Sequence, residues 1–84
     1  MSYTKLVKSV ILNLNMAESV KRFVEIASAY DYNMDLRQGK FVVNAKSILG
    51  IFSLQLDKPV VLEIFDNNDS SDSLLDELTQ FMVG

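Results

Sequence analysis

The chain has 84 residues, 49% of them hydrophobic and 23% charged, which fits one globular domain with a small, regular core and leaves no room for a second. It contains no cysteine and no histidine, so disulfides, thiolate nucleophiles and cysteine-ligated metals are excluded, along with the commonest general base; neither enzymatic activity nor a cofactor is expected. The net charge of −3 is unevenly spread: residues 1–56 carry seven Lys/Arg against four Asp/Glu, and residues 57–84 carry one against seven, which offers nucleic acid no contiguous basic face.

No apolar run approaches the length of a membrane span or a signal-peptide core, and the protein is expected to be cytoplasmic, with no membrane partner. The segment from about Lys5 to Ile11 is rich in β-branched residues with imperfect alternation and predicts a first strand. From Asn15 the period changes. Val20, Phe23, Val24 and Ala27 share one helical face, predicting a helix over about Met16 to Ala29, with Asn15 as N-cap and Glu18 completing a variant capping box.

Asn33, Asp35 and Arg37 alternate with Met34 and Leu36, followed by the turn residues Gln38-Gly39-Lys40 and the apolar Phe41-Val42-Val43, a hairpin pattern. Ser47 is placed to cap a short helix starting at Ile48, although Gly50 inside it costs about 1 kcal/mol relative to alanine. Leu54 to Lys58 reads as a loop, Pro59 as the start of a last strand through Phe65, and Asp66 to Asp72 as an acidic loop. Asp66, Asp69 and Asp72 do not have the spacing of a calcium loop. A final helix to about Met82 aligns Leu74, Leu75, Leu78, Phe81 and Met82 in one apolar stripe.

The order β-α-β-β-α-β-α implies an α+β open-faced sandwich, helices on one side of a four-stranded sheet. Pattern alone does not give the strand order; pairing the first and last strands in the centre, with the hairpin beside them, is the economical arrangement.

Two stretches are more specific: Val24-Glu25-Ile26-Ala27-Ser28-Ala29-Tyr30-Asp31 and, more sharply, Val43-Asn44-Ala45-Lys46-Ser47-Ile48-Leu49-Gly50-Ile51-Phe52-Ser53-Leu54. With the order of elements, they make the chain resemble the HPr family of bacterial sugar-phosphotransferase phosphocarriers over nearly its whole length. The resemblance implies an HPr-like open-faced β-sandwich with a mainly antiparallel sheet in the order 1-4-2-3, one face covered by two long helices and one short one.

The family carries a phosphoryl group on a histidine within a pattern of the type Gly-x-His-x-Arg-Pro at the start of its first helix. Counting back without gaps from Val24, Met16 stands at the histidine position, Glu18 at the arginine and Ser19 at the proline. A thioether cannot accept a phosphoryl group, and Glu18 brings its own anion to a helix end that would otherwise favour a phosphate. This places the chain closest in logic to HPr-like paralogues of catabolite repression.

In Gram-positive relatives the serine at the position of Ser47 is phosphorylated by an HPr kinase/phosphorylase, and the product co-regulates a LacI-type transcription factor in carbon catabolite repression. The resemblance thus implies a possible phosphorylation site at Ser47 and a docking patch formed by Met16, Ala17, Ile48, Leu49 and Phe52, with Lys21 and Arg22 at its rim. Plain capping by Ser47 and burial of the apolar set are the alternatives. A constitutive or self-associating interaction module, with a possible homo-oligomer, is the rival function; a carrier using Glu18 or Ser19 as acceptor is a third.

Overall fold

The computed structural model describes residues 6–65 and 72–83. The elements are β1 (Leu6–Leu12), α1 (Ala17–Ser28), β2 (Asn33–Gln38), β3 (Phe41–Asn44), α2 (Ile48–Phe52), β4 (Val60–Phe65) and α3 (Asp72–Leu78), the last running into a 3₁₀ turn over Thr79–Phe81. The four strands form one antiparallel sheet in the order β1-β4-β2-β3. The first and last strands do pair, but β1 lies at an edge and not in the centre: β4 takes the interior place because its second edge is used by β2.

Alternation along β4 sets the two faces. Val60, Leu62 and Ile64 are buried while Val61, Glu63 and Phe65 are only partly so. Register carries this pattern sideways, with Leu62 opposite Val10 on β1 and Leu36 on β2, and Ile64 opposite Met34. Val20, Phe23 and Ala27 of α1, Ile51 of α2, and Leu74 and Leu78 of α3 complete this core. Phe23 meets Phe81 edge to face at a centroid distance of 6.2 Å. On the opposite face, the Arg37 guanidinium donates to the Glu63 carboxylate at 3.2 Å, a diagonal cross-strand pair.

The β2–β3 turn is Gly39-Lys40, in which Gly39 adopts φ +62° and no non-glycine residue of the described chain has positive φ. A positive φ at the first central position only is the signature of a type II′ hairpin turn, which suits the strand twist and selects glycine. Gly50 answers to a different constraint. A Cβ there would lie 3.2 Å from Ser47 Oγ and 3.3 Å from Val43 Cβ, so its absence lets α2 sit close on β3.

Three expectations are corrected. The Asn15 capping box does not form: Met16 is the N-cap residue of α1, with extended backbone and no side-chain cap bond, and its carbonyl accepts the Val20 N–H at 3.1 Å. Glu18 is therefore the second helical residue, not the third, and has no Asn15 cap to reciprocate. The last α-helix stops at Leu78, and Met82 forms an antiparallel bridge with Leu12; a strand-like contact with β1 ends the helix early. The first strand runs one residue further than its pattern suggests, to Leu12. Lys5, Asp66 and Asp69 lie outside the described residues.

The C-terminal end of α1 is tied down by polar contacts. Tyr30 stacks on Tyr32 at 5.8 Å, and its hydroxyl donates to Glu77 of α3. That hydrogen bond, followed by desolvation and the repulsive Glu77 charge, raises the Tyr30 pKa above its ordinary value of 10.0. A phenol whose folded pKa is raised contributes stability below the unfolded value and loses it as pH climbs through the folded one.

Two measurements check this account. Leu62→Ala, at a fully buried position on the interior strand, is expected to cost ~2–5 kcal/mol in urea unfolding. In an alkaline stability series, the decline above about pH 10 is expected to become shallower in Tyr30→Phe, while an unchanged slope would remove Tyr30 from the pH dependence.

Candidate functional site

The start of α1 opens into a surface recess of about 380 Å³. Asn15, Met16, Glu18, Ser19 and Arg22 line it from the α1 side. Asn13, Gln80, Phe81 and Met82 form the other wall. Met16 is 60% exposed, and Glu18 and Arg22 are exposed as well. Among the described residues, neither Glu18 nor Arg22 has an ion-pair or side-chain hydrogen-bond partner. The Glu18 carboxylate sits in the first turn, where the helix dipole favours an anion by ~0.3–1 kcal/mol.

Gln80, Phe81 and Met82 reach the recess because the 3₁₀ turn and the Leu12–Met82 bridge fold the C-terminal segment back beside β1. The Asn13 N–H donates to the Phe81 carbonyl at 2.8 Å and the Val83 N–H to the Ile11 carbonyl at 3.2 Å, which fixes that wall. Sequence reading missed this contribution. The unbroken apolar run Phe81-Met82-Val83 fits a bridge as well as a helix end, and only the fold shows what lies opposite.

The second candidate region begins at the end of β3, and every residue of Asn44-Ala45-Lys46-Ser47 has a structural task. The Asn44 side-chain oxygen accepts the Lys46 N–H at 2.8 Å and its carbonyl accepts the Ser47 N–H at 3.0 Å. Ala45 is fully buried and donates its N–H to the Met34 carbonyl at 3.0 Å. The Lys46 ammonium donates to the Tyr30 carbonyl at 2.6 Å, binding the end of α1 to the start of α2. Ser47, with φ −102° and ψ 105°, is the N-cap of α2, its Oγ accepting the Gly50 N–H at 3.2 Å.

The side chains that follow divide between core and surface. Ile51 is buried and Ile48 half-buried, whereas Leu49 is 81% exposed and Phe52 is 42% exposed. Complete burial of the apolar set is thus overturned. Ala17 and Lys21 are exposed on α1, and neither lines the recess, whereas Met16, Glu18 and Ser19 meet there. Helices α1 and α2 pack together, so the two regions share the helical layer of the molecule.

Comparison with known proteins places this geometry. A family model described as the PTS HPr component phosphorylation site matches residues 16–83. Among solved structures, the chain is similar to HPr-C-His from Thermoanaerobacter tengcongensis, at 26% identity and a TM-score of 0.65, covering 86% of this chain and 91% of that one. It is similar in fold to a phosphocarrier protein HPr from Bacillus anthracis, at 24% identity and a TM-score of 0.65, covering 90% of this chain and 94% of that one. No curated protein sequence matches. The chain belongs to the HPr family of the phosphotransferase system, and it has the sheet order and three helices that the family resemblance implied. No helix among the described residues is long and apolar enough to cross a membrane.

Because the Ser47 hydroxyl accepts the Gly50 N–H, Ser47→Ala is expected to lower stability by ~0.5–2 kcal/mol, and Ser47→Asp, which keeps an acceptor oxygen, by less. Urea unfolding of the two variants beside the parent measures the difference, and equal losses would remove the cap bond as its cause.

Proposed function

We propose that this HPr-family protein is a cytoplasmic protein-binding regulator of the sugar phosphotransferase system or of carbon catabolite repression, and that it does not carry phosphohistidine. The observation that carries this reading is Met16, whose side chain stands at the head of α1 and of the region matched by the phosphorylation-site family model, in a chain without histidine. A thioether has no proton to exchange for a phosphoryl group. Glu18 supports the same reading, because its carboxylate occupies the anion-favouring turn and repels a second anion.

Ser47 is the proposed switch. Its side chain is exposed at the start of α2, and a phosphate there adds about −1.5 to −2 charge without requiring any buried group to move. The proposed partners are an HPr kinase/phosphorylase-like enzyme, which would act on Ser47, and a LacI-type transcription regulator, which would read the product. Met16, Ala17, Lys21, Ile48, Leu49 and Phe52 are proposed as the docking surface; of the apolar members, Met16 and Leu49 stay largely exposed and Phe52 partly so. Contact between α1 and α2 brings the helices that bear them together, and a joined apolar patch is the kind of surface that meets a partner.

Incubation with ATP, magnesium and an HPr kinase, followed by intact-mass measurement, is expected to add one phosphate that is lost in Ser47→Ala. No added mass would reduce Ser47 to a helix cap and leave a constitutive interaction module. Phosphoryl transfer from phosphorylated enzyme I to the chain would overturn the loss of the carrier role.

A further inference from the structure

A second surface lies away from the α1 recess, where the β2–β3 hairpin meets the connection between α2 and β4. A groove of about 560 Å³ runs between them, with Leu54 and the exposed ring of Phe41 as its apolar surfaces and Lys40 and Lys58 as its charges. Among the described residues no acidic side chain lines it; Asp57, next to Lys58 in the chain, is not part of its wall. Among the described residues, neither the Lys40 nor the Lys58 ammonium has an ion-pair or hydrogen-bond partner.

The groove is held in shape by one side chain. The Gln38 amide donates to the Gln55 carbonyl at 2.7 Å and to the Pro59 carbonyl at 3.3 Å, while its oxygen accepts the Gln55 N–H at 2.8 Å. The hairpin tip is thereby fastened to the opposite wall, and a ligand would find the cleft already formed.

Beside the groove runs the outer edge of β3, which among the described strands pairs only with β2. With Gln38 and Phe41 flanking the two-residue turn, antiparallel alternation directs the backbone groups of Val42 and Asn44 away from β2. The Asn44 carbonyl accepts the Ser47 N–H, which leaves both groups of Val42 and the N–H of Asn44 open to a further strand. Val42 is 44% exposed and Phe41 is 63% exposed, so that edge also offers apolar contact.

We propose that the β3 edge and the adjoining Lys40–Lys58 groove form a docking site for an extended acidic segment of another protein, which adds to the sheet as a strand. The backbone edge supplies the pairing, Phe41 and Leu54 take an apolar side chain, and the two unpaired ammonium groups select carboxylates. Charge argues against a second copy as the occupant. A second β3 strand would bring the segment from Gln38 to Ser47, which holds Lys40 and Lys46 and no acidic residue, so it offers the two ammonium groups no carboxylate. This site shares no residue with the α1 recess or with Ser47, so it stands independently of the function proposed above.

The test uses the full chain and a dye-labelled peptide in which glutamate alternates with valine, followed by fluorescence anisotropy and by amide chemical shifts. Saturable binding is expected, with shifts centred on Val42 and Asn44, and affinity falling roughly tenfold or more in the combined Lys40→Glu and Lys58→Glu variant. Circular dichroism checks that the variant stays folded, and a peptide with lysine in place of glutamate is expected to recover binding to it. Unchanged affinity after charge reversal, shifts away from β3, stronger binding of an oligonucleotide of matched charge, or dimerisation through β3 without peptide would each overturn the proposal.

Discussion

The structure depends on β4 being an interior strand. It pairs with β1 on one side and β2 on the other, and its strict alternation aims Val60, Leu62 and Ile64 into the core while Glu63 faces the open side. A slip of one residue would exchange these faces, so β4 fixes the register of β1 and β2 together. Both functional regions inherit that register. The end of β1 leads through Asn13 into the start of α1, and the end of β3 leads through Asn44 into α2.

At the α1 end, a helix N-terminus with free N–H groups is a favourable place for negative charge whatever supplies it. In this chain Glu18 supplies it covalently, and Met16 adds an exposed apolar side chain at the same end. Under the proposed reading, the helix end keeps its preference for an anion while Met16 offers no group to carry a phosphoryl. Such a surface is suited to contact rather than to transfer, consistent with the large exposed areas of Met16 and Leu49.

The Asn44-Ala45-Lys46-Ser47 segment shows how much of a recognisable motif is demanded by folding. Asn44 closes a turn, Ala45 fits a fully buried position, Lys46 satisfies a carbonyl at the end of α1, and Ser47 caps α2. Those tasks require these residue types at this spacing even before a partner is considered. Lys46 has a further effect, since joining the end of α1 to the start of α2 couples the position of Ser47 to the same helix that bears Met16 and Glu18. Tyr30 strengthens the joint from the other side through Glu77 of α3.

What the sequence determined by itself was local: strand alternation, the apolar stripes of α1 and α3, the Gly39 turn, the Ser47 cap, and the absence of any histidine to phosphorylate. Each follows from forces acting within a few residues, or from chemistry that no fold can supply. Tertiary structure decided the rest. Met16 rather than Asn15 stands at the N-cap of α1, and the early end of α3 is set by the bridge from Met82 to Leu12. The Gln38 clamp joins residues far apart in the chain, as does the wall that Gln80 and Phe81 give to the recess. Their partners come together only when β4 has paired with both neighbours, because hydrogen bonds and cavity walls between distant segments leave no period in the sequence to be read.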